Sequence, residues 1–290
     1  MKTEVYQVIT DRIIEQLEKG CIPWHKPWNA AEGMPKNLIS KKEYRGINVF
    51  MLSSMGYGSP YWLSFKQVKE SGGTVNKGEK GCPVVYWNWI KKEDSETGKV
   101  RNIPFLRYYT VFNVQQTTGL DTRIPKTEEK VNPFSAIDSA EQIITNCTIL
   151  PPVVPGGNRA FYSPSRDVIG IPNRESFDKP EEYYSTFFHE AVHSTGHKSR
   201  LDRTTVTDNH FFGSTEYSKE ELIAEMGAAF LCGITGILDT TFDNSAAYIQ
   251  GWLSKLRKDP KIVVWAAASA QKASDTILGK KSYEEKEVTT

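Results

Sequence analysis

The sequence predicts a two-domain α+β protein, and three observations carry that expectation. The 290 residues exceed what one hydrophobic core usually organises, and 39% hydrophobic with 24% charged residues is the composition of a globular chain. The longer strand-like patterns fall at residues 83–90 and 106–114, whereas the second half reads mainly as a succession of helices. The overall charge of +1 conceals an asymmetry. Residues 1–125 carry 18 Lys and Arg against 12 Asp and Glu, a net of +6, which leaves 18 against 23, or −5, for residues 126–290. The boundary is expected within 119–133, where Gly119, Pro125 and a charged stretch interrupt all periodicity, giving domains 1–125 and 126–290.

In chain order, residues 4–19 read as a charged amphipathic helix and 62–69 as a second helix. Residues 83–90 and 106–114 are rich in β-branched and aromatic side chains, and the polar segment 91–101, with Thr97-Gly98, makes them a hairpin. Beyond the boundary, 136–147 is helical, 159–162 and 168–171 form a short strand pair, and helices follow from Pro180, over 217–232, 246–257 and 262–278. Cys21, Cys82, Cys147 and Cys232 are scattered without a C-x-x-C pair. With no secretory leader and no long apolar span, a reducing cytoplasm is the expected location.

The most informative stretch is His189-Glu190-Ala191-Val192-His193. An acidic, proline-led start at Pro180-Glu181-Glu182 and the apolar residues Phe187, Phe188, Ala191 and Val192 place it on a helix that Gly196 ends. There the two imidazoles stack one turn apart and can reach one zinc ion, while Glu190 is turned toward the place where an activated water would sit, as its general base. A surface helix with two unrelated histidines is the plainer alternative.

A catalytic zinc needs a third protein ligand, and three positions compete. Gly196 falls where a metzincin has its glycine, but the position that should carry the last histidine is Ser199. His197 lies beyond the glycine turn and reads as a supporting or surface residue. The third candidate lies on the helix opening Tyr217-Ser218-Lys219-Glu220-Glu221, where Glu221 and Glu225 stand one turn apart among Leu222, Ile223, Ala228, Ala229 and Phe230, a setting that fits poorly with a solvated acidic face. This E-x-x-x-E arrangement resembles gluzincins. The resemblance implies Glu221 as the metal ligand and Glu225 as the carboxylate that holds a ligand histidine by hydrogen bond. Tyr217, four residues before Glu221, can donate to a developing oxyanion, with a purely structural tyrosine as the alternative.

Basic residues interleaved with aromatics are what a single-strand binder needs, because cations follow the phosphates while rings stack on unpaired bases. In residues 1–125 the candidates are Trp24, Lys26 and Trp28, then Tyr44 and Arg45, then Lys77 and Lys80 in a glycine-rich turn, then Arg107, Tyr108 and Tyr109. Aromatic side chains in a small β-rich domain are equally expected in a core.

Together the Pro-Trp pairs at 23–24 and 27–28, Tyr44-Arg45-Gly46-Ile47-Asn48, the V-x-K-G-E-K-G of 75–81, Val111-Phe112-Asn113-Val114, the H-E-x-x-H, the Glu220 to Glu225 helix and Tyr248-Ile249-Gln250-Gly251-Trp252-Leu253 occur in an order that resembles ArdC-type antirestriction proteins over nearly the whole chain. The resemblance implies a small mixed α/β domain that binds single-stranded DNA, related to the N-terminal region of TraC-type plasmid primases. It implies a following zincin-like, gluzincin-type metallopeptidase domain, residence on conjugative plasmids and other mobile elements, and protection of incoming DNA from host restriction. The family's peptidase activity is itself inferred from fold, with an unidentified host protein as substrate. Two other uses of the same residues are a strand-coating module whose zinc site is structural or silent, and a zinc peptidase whose basic domain recruits acidic proteins.

Overall fold

Val5, Ile9, Ile13 and Leu17 recur every fourth residue, so the first helix, α1 (Lys2–Glu18), presents one apolar stripe, and all four are buried. The structure is a computed structural model that describes residues 2–24, 33–93, 100–125, 134–207, 215–237 and 246–280. The stripe of α1 packs mainly across the last two helices of the chain, and Thr10 Oγ1 donates to the Pro260 carbonyl at 2.6 Å.

Next come β1 (Lys36–Asn37), α2 (Ile47–Ser53), β2 (Tyr61–Ser64), α3 (Phe65–Glu70), β3 (Thr74–Val75), β4 (Cys82–Glu93), β5 (Val100–Asn113) and β6 (Thr117–Thr118). One sheet has the order β1-β2-β5-β4, with β1 and β2 parallel and the rest antiparallel; β3 and β6 form a separate pair. The expected hairpin is present and longer than its apolar runs, because the polar segment between them also pairs, as in Lys91↔Asn102 and Glu93↔Val100. The helix expected over 62–69 begins only at Phe65. Trp62, Leu63 and Ser64 pair with β5, and Ser64 and Gln67 exchange the two hydrogen bonds of a capping box, which fixes the change from strand to helix. Sequence periodicity missed α2, whose Asn48 side chain donates to the Val85 carbonyl (2.7 Å) and accepts from its N–H (2.8 Å), meeting backbone groups of the edge strand β4.

Further along the chain come α4 (Phe134–Asn146), β7 (Val153–Pro155), β8 (Phe161–Ser163), β9 (Val168–Ile171), α5 (Pro180–Thr195), α6 (Thr204–Thr207), α7 (Thr215–Thr235), α8 (Ala246–Lys258) and α9 (Ile262–Ile277). The expected strand pair is β8 with β9, antiparallel. A third strand, β7, adds to β9 in parallel, in the order β7-β9-β8. Helix α7 packs against α5 on one side and α9 on another. A single apolar core runs through both halves of the chain, from Val5 and Trp24 through Phe50 and Val111 to Phe188, Phe230 and Ala267. Phe50 of α2 stacks on Phe230 of α7 at 4.7 Å. A smaller cluster of Leu38, Leu63, Val68, Val114 and Leu120 stands apart from it, with Tyr61, Val75 and Ile124 packed against it.

Candidate functional site

Helix α5 starts at Pro180, with Glu181 and Glu182 in its first turn, and buries Tyr183, Tyr184, Phe187, Phe188, Ala191 and Val192. It stops at Gly196 in right-handed conformation, and two arginines take up carbonyls of its last turns: Arg203 donates to Val192 O at 2.9 Å and Arg200 to Ser194 O at 2.6 Å. The face left for chemistry carries His189 and His193, whose rings lie 4.7 Å apart with Nε2 atoms at 3.1 Å. Helix α7 brings Glu221 opposite them, 3.6 Å from His189 Nε2 and 3.6 Å from His193 Nε2. Gly227 allows the approach of the two helices, since a Cβ there would lie 2.7 and 2.8 Å from the methyl carbons of Val192.

These three donors are the only His, Cys, Asp or Glu trio within 4.8 Å of one another among the described residues. Ligands held at 2.0–2.1 Å around a tetrahedral ion are about 3.3 Å apart; the two imidazole nitrogens stand 3.1 Å apart, His189 Nε2 lies 3.6 Å from Glu221 Oε2 and His193 Nε2 lies 3.6 Å from Glu221 Oε1, all near that figure. The residues therefore fit a divalent cation. Glu190 is buried and its charge is felt at both His193 and Tyr217, which places it beside the cluster. Tyr217 stands against Glu221. Burial, then the Glu221 and Glu190 carboxylates, push its phenol up to about 12, so it remains a hydrogen-bond donor throughout the neutral range. His197 is not part of this trio; its Nδ1 lies 2.8 Å from Ser199 Oγ and 3.8 Å from Asp167.

The carboxylate that orients a histidine is Glu220, where the sequence led us to expect Glu225. Glu220 Oε1 lies 3.2 Å from His193 Nδ1, accepts from Arg203 Nη2 at 2.6 Å, and its other oxygen accepts from Thr205 Oγ1 at 2.5 Å. Its side chain is 6% exposed. Burial alone would raise its pKa, but the hydrogen bonds from His193 and Arg203 hold it down at about 2. Burial alone would likewise depress His193; the Glu220 hydrogen bond and the Glu221 and Glu220 charges instead lift it to about 9 in the metal-free protein. Glu225 serves a different contact, accepting from Trp24 Nε1 at 3.0 Å and from the Tyr248 hydroxyl.

That contact also corrects the reading of Trp24 as a base-stacking ring. Trp24 is 1% exposed and packs edge-on against Trp252, so neither face is open to a nucleobase. Tyr44 is buried as well and cannot stack on a strand. Lys26 and Trp28 lie outside the described residues. Arg45 is 42% exposed and pairs with Asp275 of α9, while Lys77 and Lys80 are exposed in the turn between β3 and β4. On the hairpin Arg107, Tyr108 and Tyr109 are all exposed, but alternation divides them. Arg107 stands opposite Tyr86 and Tyr109 opposite Val84 on one face, with Tyr108 opposite Val85 on the other. Tyr86, 42% exposed and 6.2 Å from the Tyr109 ring, was not singled out from sequence, because it lies in a run of alternating and continuous apolar residues with no polar marker.

Comparison with known proteins adds to this geometry. Residues 3–112 match a family model for the N-terminal domain of anti-restriction factor ArdC, and residues 138–269 match one for a zincin-like metallopeptidase. A DNA primase TraC of Escherichia coli is 36% identical over 99% of this chain and 28% of its own length; a second TraC is 36% identical over 99% of this chain and 20% of its own. The chain thus spans under a third of these curated relatives. The protein y4eC of Sinorhizobium fredii is 31% identical over 97% of this chain and 93% of its own. Crystal structures of the antirestriction protein ArdC from plasmid R388 superpose with TM-scores of 0.75 for the metal-free form (38% identity, 96% of this chain and 99% of that one) and 0.74 for the Mn(II)-bound form (39%, 94% and 97%).

Proposed function

The chain belongs to the ArdC antirestriction family, and from that membership and the site above we propose that it binds single-stranded DNA, carries a metal-dependent peptidase centre and protects incoming DNA from restriction. The observation that carries the proposal is the convergence of His189 Nε2, His193 Nε2 and the Glu221 carboxylate at near-ligand spacing beside the buried Glu190. In this reading those three residues hold zinc, a metal of the same charge as the Mn(II) bound by the R388 relative.

A divalent cation there supplies Lewis acidity toward a peptide carbonyl and toward water. Glu190 takes the proton of the attacking water and returns it to the departing amine. Tyr217, protonated at neutral pH, donates toward the oxygen on which negative charge develops. Glu220 keeps Nδ1 of His193 engaged, so that Nε2 presents its lone pair to the cation. Residues 1–125 form the strand-binding part, with Lys77, Lys80, Arg107, Tyr108 and Tyr109 as contacts, and residues 126–290 the peptidase part, acting in the cytoplasm on an unidentified host protein. No described helix is long and apolar enough to cross a membrane.

The test is metal analysis, proteolysis of host DNA-binding proteins with and without single-stranded DNA, and restriction protection in cells, for the wild type and Glu190→Gln. Retained metal and DNA affinity with lost cleavage supports a catalytic centre. Full protection by Glu190→Gln, with no cleavage by the wild type, makes the protein a strand-coating module with a silent site.

A further inference from the structure

A cleft of about 1200 Å³ opens between the β4–β5 hairpin, the segment leading into α2, and α9. One wall presents the half-exposed rings of Tyr86 and Tyr109; the opposite wall is α9, through Val264, Ala268 and Gln271. Tyr44 is among the lining residues, and its hydroxyl is buried. That hydroxyl is one of two buried side-chain polar atoms among the described residues that have no hydrogen-bond partner. The side chains of Asn37 and Tyr109 lie beside it. A buried hydroxyl without a partner is costly in a finished core, and this one belongs to a residue of the cleft wall. The exposed cations Lys42 and Arg45 stand at the same cleft beside Glu43, and Arg45 also pairs with Asp275 of α9.

The geometry points to a subsite for an unstacked nucleobase of a single strand: the base lies against Tyr86 and Tyr109, its polar edge meets the Tyr44 hydroxyl, and Lys42 and Arg45 face the adjoining phosphates. The inference rests on the single-strand reading above. It fits this lining because ring faces accept any base, a phenol hydroxyl can donate to or accept from a base edge, and two cations suit a phosphate backbone. Both halves of the chain build the cleft. Gly46, at a φ of 57° that favours glycine, donates its N–H to Gln271 Oε1 at 3.0 Å, and Arg45 pairs with Asp275, so α9 is tied to the segment that carries Tyr44.

The experiment titrates the full-length protein with a short oligothymidylate carrying one 2-aminopurine, following both affinity and the fluorescence of the reporter base. In the wild type the reporter is quenched on binding as it stacks on a ring. Tyr86→Ala and Tyr109→Ala are each expected to weaken binding about five- to a hundredfold and to abolish the quenching. Tyr44→Phe keeps the ring and removes only the oxygen, so a loss of about two- to tenfold is expected without change in thermal stability. Wild-type binding accompanied by unchanged affinity and quenching in all three variants overturns the subsite and leaves strand binding elsewhere on the protein. Absence of any wild-type binding removes the single-strand reading itself.

Discussion

Replacing Glu220 by Gln tests how the candidate centre is held together. The substitution keeps the side-chain volume but removes the charge facing Arg203, whose own side chain is 9% exposed, and leaves three donors, from His193, Arg203 and Thr205, with one amide oxygen among them. Breaking a buried ion pair costs about 3–5 kcal/mol. Arg203 retains its hydrogen bonds to Val192 O and Thr195 Oγ1, so the expected loss lies at the low end, about 3 kcal/mol. Removing the carboxylate that orients a ligand histidine lowers metal affinity about 10- to 100-fold. Urea denaturation in the presence of a chelator reads the first effect, and calorimetric titration of the chelator-stripped protein with zinc or manganese reads the second. Glu225→Gln, on the same helix, removes the charge that accepts from Trp24 and Tyr248 and is expected to lower stability while changing metal affinity less than threefold. Equal metal affinities for Glu220→Gln and the wild type, or a larger loss in Glu225→Gln, would refute the assignment of the orienting role to Glu220.

Glu221→Ala removes one of three donors, and stoichiometric zinc at neutral pH, measured by atomic emission after dialysis, is expected to disappear; persistence of the metal there with loss on His197→Ala would move the third ligand to His197. Gly227→Ala places a Cβ within 2.8 Å of Val192 in a packed interface, for which a loss of about 1–3 kcal/mol is expected by denaturant midpoint, together with weaker metal binding as α7 is pushed from α5. Trp24→Phe leaves a ring but removes the donor to Glu225, so thermal stability is expected to fall while oligonucleotide affinity stays within twofold; a tenfold loss of affinity at unchanged stability would restore Trp24 to the strand. Lys77→Ala and Lys80→Ala are each expected to lower the slope of log affinity against log salt for a single strand by about 0.7, read from titrations at several salt concentrations.

What the sequence made legible follows the range of the interactions involved. Residues four apart on one helix meet wherever that helix is placed, so His189 and His193 could be paired from spacing alone, and the long apolar runs of β4, β5 and α7 announce themselves. Which of two neighbouring glutamates serves which histidine is a different kind of question. Glu220 and Glu221 differ by about 100° around the helix, while Glu225 shares the face of Glu221 but sits about 6 Å further along the axis. Either neighbour of Glu221 can reach a histidine, depending on how α7 is rotated and slid against α5. That setting comes from Gly227 on Val192, from Phe230 on Phe50 of α2, and from Arg203, which lies between the two helices in sequence and joins Glu220 to the end of α5. The same packing decides the fate of the aromatics. Trp24 resembles an exposed strand-binding ring in its basic, proline-flanked setting, yet α8 supplies Trp252 and Tyr248 to cover it, residues more than two hundred positions away. Local pattern fixes the donors, and long-range packing selects which of them share one ion and which rings remain open to a base.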